Sequence, residues 1–152
     1  MNDLYEANRD LCLEDGGWNF ARKRATMTAL TAVPDFGWEH QFTLPTDFIK
    51  AWKEDNEEDV VAEGSYLLAN ASTLYLTYIS RIEDTSVYSP GFVISCALRL
   101  AASACYTLTQ DTAKEDRLEA KYQASLDAAR TNDSQSNAVE DIDISEFLGD
   151  RS

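Results

Sequence analysis

At Ser89-Pro90 the hydrophobic period of this chain changes, and that change limits the folds open to it. Upstream, apolar residues alternate with polar ones, as in Trp38, His40, Phe42 and Leu44 against Glu39, Gln41 and Thr43. That is the pattern of a half-buried strand. Downstream, Val93, Cys96 or Ala97, Leu100, Ala104 and Leu108 recur at helical spacing. Pro90 suits only a first helical turn, with Ser89 as its cap. A chain of this kind must place a sheet and a set of helices side by side, which is an α+β fold.

The helices are expected at about 2–15, 89–109 and 112–130. Asn2 or Asp3 caps the first, Leu4, Ala7 and Leu11 form its apolar stripe, and Gly16-Gly17 stops it. Thr112-Ala113-Lys114-Glu115 reads as a capping box for the last, which is striped by Leu118, Tyr122, Leu126 and Ala129. Strands are expected at about 18–31, 38–44, 58–69 and 74–80. In the first, Ala21, Ala25, Met27 and Ala29 share one face, opposite Phe20, Arg22, Arg24, Thr26 and Thr28. Pro34-Asp35-Phe36-Gly37 is a turn, Pro45 ends a strand, and the acidic run Glu54–Asp59 is a solvated loop or hairpin tip. The architecture expected is mainly a helical bundle of three to four helices, with a small antiparallel β-meander inserted between the first and the later helices. Residues 1–130 form one domain, followed by an acidic C-terminal tail at 131–152 that begins with a polar linker.

Charge narrows the function classes. There are 27 acidic residues against 13 basic ones among 152, a net −14, so tight sequence-reading of nucleic acid is disfavoured. No uninterrupted apolar run approaches the roughly 20 residues that span a bilayer. The start, Met-Asn-Asp-Leu-Tyr-Glu, lacks a signal peptide's basic and apolar regions, so synthesis is expected in the cytoplasm with no membrane partner. Cys12, Cys96 and Cys105 read as reduced thiols. Cys96 and Cys105 fall on opposite sides of one helix, at about 100° per residue.

No arrangement of residues points to catalysis, a cofactor or a metal. The nucleotide-binding, hydrolase-elbow and zinc-protease motifs are missing. The many carboxylates lack the apolar surroundings that raise a general acid's pKa. His40 on an apolar strand face reads as a packing residue, and Glu54–Asp59 lacks the glycine and spacing of a calcium loop. Trp18 and Trp38 fit a core, whereas Trp52, beside the acidic run, fits a partner interface. Arg22, Lys23 and Arg24 fit a solvated strand face first, and a channel or subunit contact second. Ile142, Ile144, Phe147 and Leu148, interleaved with acids, fit a segment that docks on a partner.

The order of short motifs resembles the head-to-tail adaptor family of short-tailed phages, also called tail tubular protein A. They are Trp18-Asn19-Phe20-Ala21, Leu44-Pro45-Thr46-Asp47, Tyr78-Ile79-Ser80-Arg81, Pro90-Gly91-Phe92, the alanines of Ala97–Ala104, and Leu118–Tyr122. The likeness covers roughly residues 4 to 130. Family members usually carry one more helical segment before the one that begins here near Asn2, a surface that a neighbour would then supply. The resemblance implies a non-enzymatic virion protein of the neck. Its copies would form a ring, dodecameric in the family, between the portal protein and the tail nozzle protein, through which DNA passes without sequence-specific binding. From the residues alone, two other readings stay open: an acidic protein-interaction module unrelated to phage tails, and a phage wall-degrading hydrolase. In the adaptor reading Ile142, Ile144, Phe147 and Leu148 dock on the portal or an adjacent subunit; deleting residues 138–152 is expected to abolish capture by portal protein in a pull-down, and unchanged capture would remove their docking on the portal.

Overall fold

The computed structural model describes residues 2–52, 56 and 59–138. The fold is α+β, with three α-helices and two small antiparallel sheets among the described residues. Helix α1 (Asn2–Gly16) is followed by a 3₁₀ turn at Asn19–Ala21 and strands β1 (Arg22–Thr28), β2 (His40–Thr43) and β3 (Phe48–Ala51). Then come β4 (Val61–Glu63), β5 (Tyr66–Ala69) and β6 (Thr73–Ser80), a second 3₁₀ turn at Thr85–Val87, and helices α2 (Pro90–Thr109) and α3 (Thr112–Ala138). One sheet has the order β1-β6-β3 and the other β2-β5-β4.

Several expected boundaries move. The extended segment expected from residue 18 starts with a helical turn and pairs only over Arg22–Thr28, from Arg22 opposite Ile79 to Thr28 opposite Thr73. The single strand expected at 58–69 is a hairpin of β4 and β5, because Gly64 at φ +60° makes a turn inside it. A strand at Phe48–Ala51 follows Pro45, pairing with β6 across a bulge between Phe48 and Lys50. Proline ended β2 but did not stop the chain from becoming extended again three residues later. Helix α3 passes Arg130 and runs to Ala138, through the residues expected to be a linker. No glycine or proline interrupts residues 92–148, so nothing in that polar run breaks a helix already nucleated. Its cap is Asp111, not Thr112: Lys114 N–H donates to Asp111 Oδ1 at 3.1 Å. Ser89 caps α2 as expected, accepting from Phe92 N–H at 3.3 Å with Pro90 in the first turn.

Two cores hold these elements together. Between the sheets, Phe42, Leu67 and Ala69 meet Leu74, Leu76 and Tyr78, with Ala25, Met27 and Ala29 of the first strand segment packed against them. Among the helices, Cys12, Leu13, Trp18, Phe92, Tyr122 and Leu126 are buried together. Strand β6 serves both, since Leu74, Leu76 and Tyr78 turn to the sheet core while Ile79 enters the helical one.

Trp18 fixes the join. Its indole N–H donates to the Cys12 carbonyl at 2.8 Å, and its ring meets Phe92 edge-on at 5.3 Å. A Cβ at Gly16 would lie 2.2 Å from the Trp18 ring, and one at Gly17 (φ +61°) would lie 2.2 Å from the Trp52 ring. The paired glycine is therefore a helix stop and also the gap that admits two tryptophans.

Helix α1 buries a different stripe from the one expected. Asn8, Arg9, Cys12 and Leu13 face inward, and Leu4, Ala7 and Leu11 are exposed. The polar members are satisfied: Asn8 Nδ2 donates to the Leu4 carbonyl, Asn8 Oδ1 accepts from Ser103 Oγ at 2.7 Å, and Arg9 pairs with Asp10. All three cysteines are free and buried. Helix α2 is long and apolar enough to cross a membrane by length and composition alone. It also carries Arg99, paired with Glu119 of α3, and Ser95, whose hydroxyl lies 2.6 Å from that of Ser125.

Trp18→Ala is expected to cost about 3–5 kcal/mol and Ile79→Val about 0.5–1.5 kcal/mol in urea unfolding. Gly17→Ala is expected to lower the urea midpoint, because the left-handed backbone and the Trp52 ring both oppose a Cβ there.

Candidate functional site

Four of the six segments that carried the family resemblance converge where the sheets meet the helices. Pro45 closes β2, and Phe48 N–H donates to the Pro45 carbonyl at 3.1 Å, a turn that projects Asp47 from its apex. Asp47 Oδ1 accepts from the Tyr78 hydroxyl at 3.0 Å and Oδ2 accepts from Lys23 Nζ at 2.5 Å. Its carbonyl accepts from Arg81 N–H at 2.6 Å. Arg81 in turn donates from Nε to Asp10 Oδ2 of α1 at 2.8 Å, and Arg9 binds the other oxygen of the same carboxylate. Ser80 Oγ donates to the Ala21 carbonyl at 2.9 Å. One chain of polar contacts thus runs from β1 through Asp47 to α1.

This network shifts ionisation. Burial alone would raise the Asp47 carboxyl, but hydrogen bonds from Lys23 and Tyr78 outweigh it and hold the group below the usual carboxylate range. Burial, followed by donation to Asp47, pushes the Tyr78 phenol up to about 12. Tyr122 is raised by burial, the neighbouring Cys12 and its hydrogen bond to Asp15 at 2.9 Å. A hydrogen bond to Cys96, and then burial, keeps the Cys12 thiol protonated. Among the described residues, no three of His, Cys, Asp and Glu stand close enough together to hold a metal ion.

Arg22, Lys23, Trp52 and His40, singled out in the sequence, each have a place. The Arg22-Lys23-Arg24 run does not form one face. Arg22 lies over the Trp52 ring at 4.4 Å, with its Nε buried and unpartnered, while Lys23 points to the other side of the strand and its ion pair. Trp52 is half-buried between Arg22 and Gly17, packed against the helical core. Its backbone N–H donates to the Thr77 carbonyl at 2.9 Å. His40 begins β2 opposite Ala69, half-buried. Ile142, Ile144, Phe147 and Leu148 lie outside the described residues. The two faces sequence reading missed are the bare stripe of α1 and the outer side of α2.

On α2, Val93, Ile94, Ala97, Ala101 and Leu108 are exposed, Ile94 by 58% and Leu108 by 80%. At about 100° per residue these five share one side of the helix, away from Cys96 and Ser103, which meet α1. A second missed residue is Asn56 in the acidic run. Its amide accepts from Thr77 N–H at 2.7 Å and donates to the Thr77 and Trp52 carbonyls, replacing a strand neighbour where β3 ends. Asparagine among acids was its only mark in the sequence.

No family model matches this sequence, and no curated protein matches it.

Asp47→Asn is expected to lower stability by about 1 kcal/mol at pH 7, the value for a charged hydrogen bond after solvent screening. Because Asp47 has a depressed folded pKa, its contribution is present above about pH 4, the unfolded value, and disappears as pH falls through the folded one. Denaturation midpoints of wild type and variant should therefore converge below pH 4. Equal midpoints at pH 7 would show that the carboxylate does not hold β1 and β6 to the turn before β3.

Proposed function

We propose that this chain is the ring-forming subunit of a head-to-tail adaptor, a structural virion protein seated between portal and tail nozzle. In this reading the three helices form the bundle and the strands between α1 and α2 are its insertion. The observation that carries the reading is a pair of uncovered apolar helix faces: Leu4, Ala7 and Leu11 on α1, and Val93, Ile94, Ala97, Ala101 and Leu108 on α2. An isolated globular domain gains nothing by holding such faces in water. A ring subunit uses them, because each copy must grip its two neighbours through two different surfaces. Alanines on the α2 face permit close approach of another backbone.

The convergence of the motif residues supports the same reading. Trp18, Phe20, Asp47, Tyr78, Ile79, Arg81 and Phe92 all act at one junction, as expected if they belong to one inherited structural unit. Their work there is scaffolding. The net charge of −14 per copy, repeated round a pore, would let DNA pass without adhering.

The test is direct visualisation. Negative-stain microscopy of the purified chain, alone and mixed with portal protein, is expected to show rings with a central opening, twelve-fold in the adaptor reading. Light scattering after gel filtration should give the matching mass, and Ala101→Glu should reduce it to that of a monomer with unchanged circular dichroism. A monomer under all these conditions, with portal present, would overturn the proposal.

A further inference from the structure

The surface beside the bare α2 face is basic, which is unexpected on so acidic a chain. Lys114, Arg117 and Lys121 are exposed on α3, and spacing of three and four residues sets them on one stripe. Arg117 and Lys121, one turn apart, repel each other. Every other basic side chain among the described residues has a partner: Arg9 and Arg81 share Asp10, Lys23 holds Asp47, and Arg99 holds Glu119. Arg22 stacks on Trp52, Lys50 donates to the Glu14 carbonyl, Arg130 donates to the Asp15 carbonyl, and Arg24 is also engaged. Among the described residues, Lys114, Arg117 and Lys121 of α3 stand without one.

Their position follows from the pairing of α2 with α3. Arg99 meets Glu119, and Tyr122 and Arg130 meet Asp15, so α1 lies along that side of the hairpin. Ser95 meets Ser125, which continues the stripe of Lys121 and Lys114. Turning further from α1, α2 presents Ile94 and Ala101 while α3 presents Lys121 and Lys114. The side of the hairpin opposite α1 is therefore a groove with one apolar wall and one basic wall.

We propose that this groove receives residues 139–152 of a neighbouring copy of the chain. That segment has matching chemistry: Ile142, Ile144, Phe147 and Leu148 alternate with Glu140, Asp141, Asp143 and Glu146. Apolar side chains suit the α2 wall and carboxylates the α3 wall. Geometry favours a neighbour over the chain's own groove. Ala129 lies at Gly91, the first turn of α2, and α3 continues nine residues beyond it, carrying its end about 13 Å past that turn. The next glycine after that end is Gly149, so the sequence offers neither glycine nor proline for a sharp reversal. Ten extended residues reach about 33 Å, enough to cross to an adjacent subunit and span the stripe. Such a contact is head-to-tail, donor segment to acceptor groove, and closes into a ring when repeated. The inference rests on the ring reading above and names the surface by which one copy holds the next.

Zero-length carbodiimide cross-linking of the full-length protein tests it. In the covalent dimer band, peptide mapping is expected to find Lys114 or Lys121 joined to Glu140, Asp141, Asp143 or Glu146. The triple variant Lys114→Glu, Arg117→Glu, Lys121→Glu should lose these links and lower the assembled mass, while its thermal unfolding stays within a few degrees of wild type. The same links found only in the monomer band would mean the segment folds onto its own chain, and would overturn the proposal. Rings without the links would overturn it while leaving the adaptor reading intact. A wild type that never assembles would overturn both.

Discussion

A pair of glycines, one against Trp18 and the next against Trp52, is the constraint on which the rest of the molecule depends. Trp18 lies in the plane where α1 ends, the sheets begin and α2 starts, and its only polar atom is satisfied by the Cys12 carbonyl. A side chain at either Gly16 or Gly17 would displace a ring. The direction in which β1 leaves α1 is therefore set by steric exclusion, and from that direction the pairing of β1 with β6 follows. Because β6 lends alternate side chains to both cores, fixing β1 fixes the sheets against the helices.

Polar contacts then make the join specific. Hydrophobic packing alone is non-directional and would permit the sheets to slide on the helices. Arg81 prevents this by donating from its side chain to Asp10 of α1 while its backbone N–H donates to the carbonyl of Asp47, whose carboxylate receives Lys23 from β1 and Tyr78 from β6. Asn56 completes the hydrogen bonding of β6 where β3 stops. In both cases a side chain fills a role the backbone cannot, at a place where a strand gives out.

The distribution of charge has a similar logic. Most of the few cations are consumed inside the fold, against a carboxylate, a carbonyl or a ring. Those left over among the described residues gather on one stripe of α3, next to the exposed apolar face of α2. In the proposed ring, stability and assembly would draw on separate residues. The junction holds a single copy together, and the α2–α3 side is the surface we assign to contact between copies.

The α+β class was legible in the chain, because a period-two pattern and a period-3.6 pattern occupy different stretches and proline marks the boundary between them. So were the cap at Ser89 and the two faces of β1, which depend on neighbours a few residues away. Other features were decided only in three dimensions. Leu4, Ala7 and Leu11 have the spacing of a core stripe, yet Asn8 and Arg9 are buried in their place, since Ser103 and Asp10 stand ready to bond them. Nothing local to α1 announces a serine that lies 95 residues away. Asp47 was one motif residue among several until the fold brought Lys23 and Tyr78 to it. The bare side of α2 was hidden too, because its alanines and leucine look the same in sequence whether or not another helix covers them. Local pattern fixes which elements form, while burial and partnership depend on which distant surfaces arrive beside them.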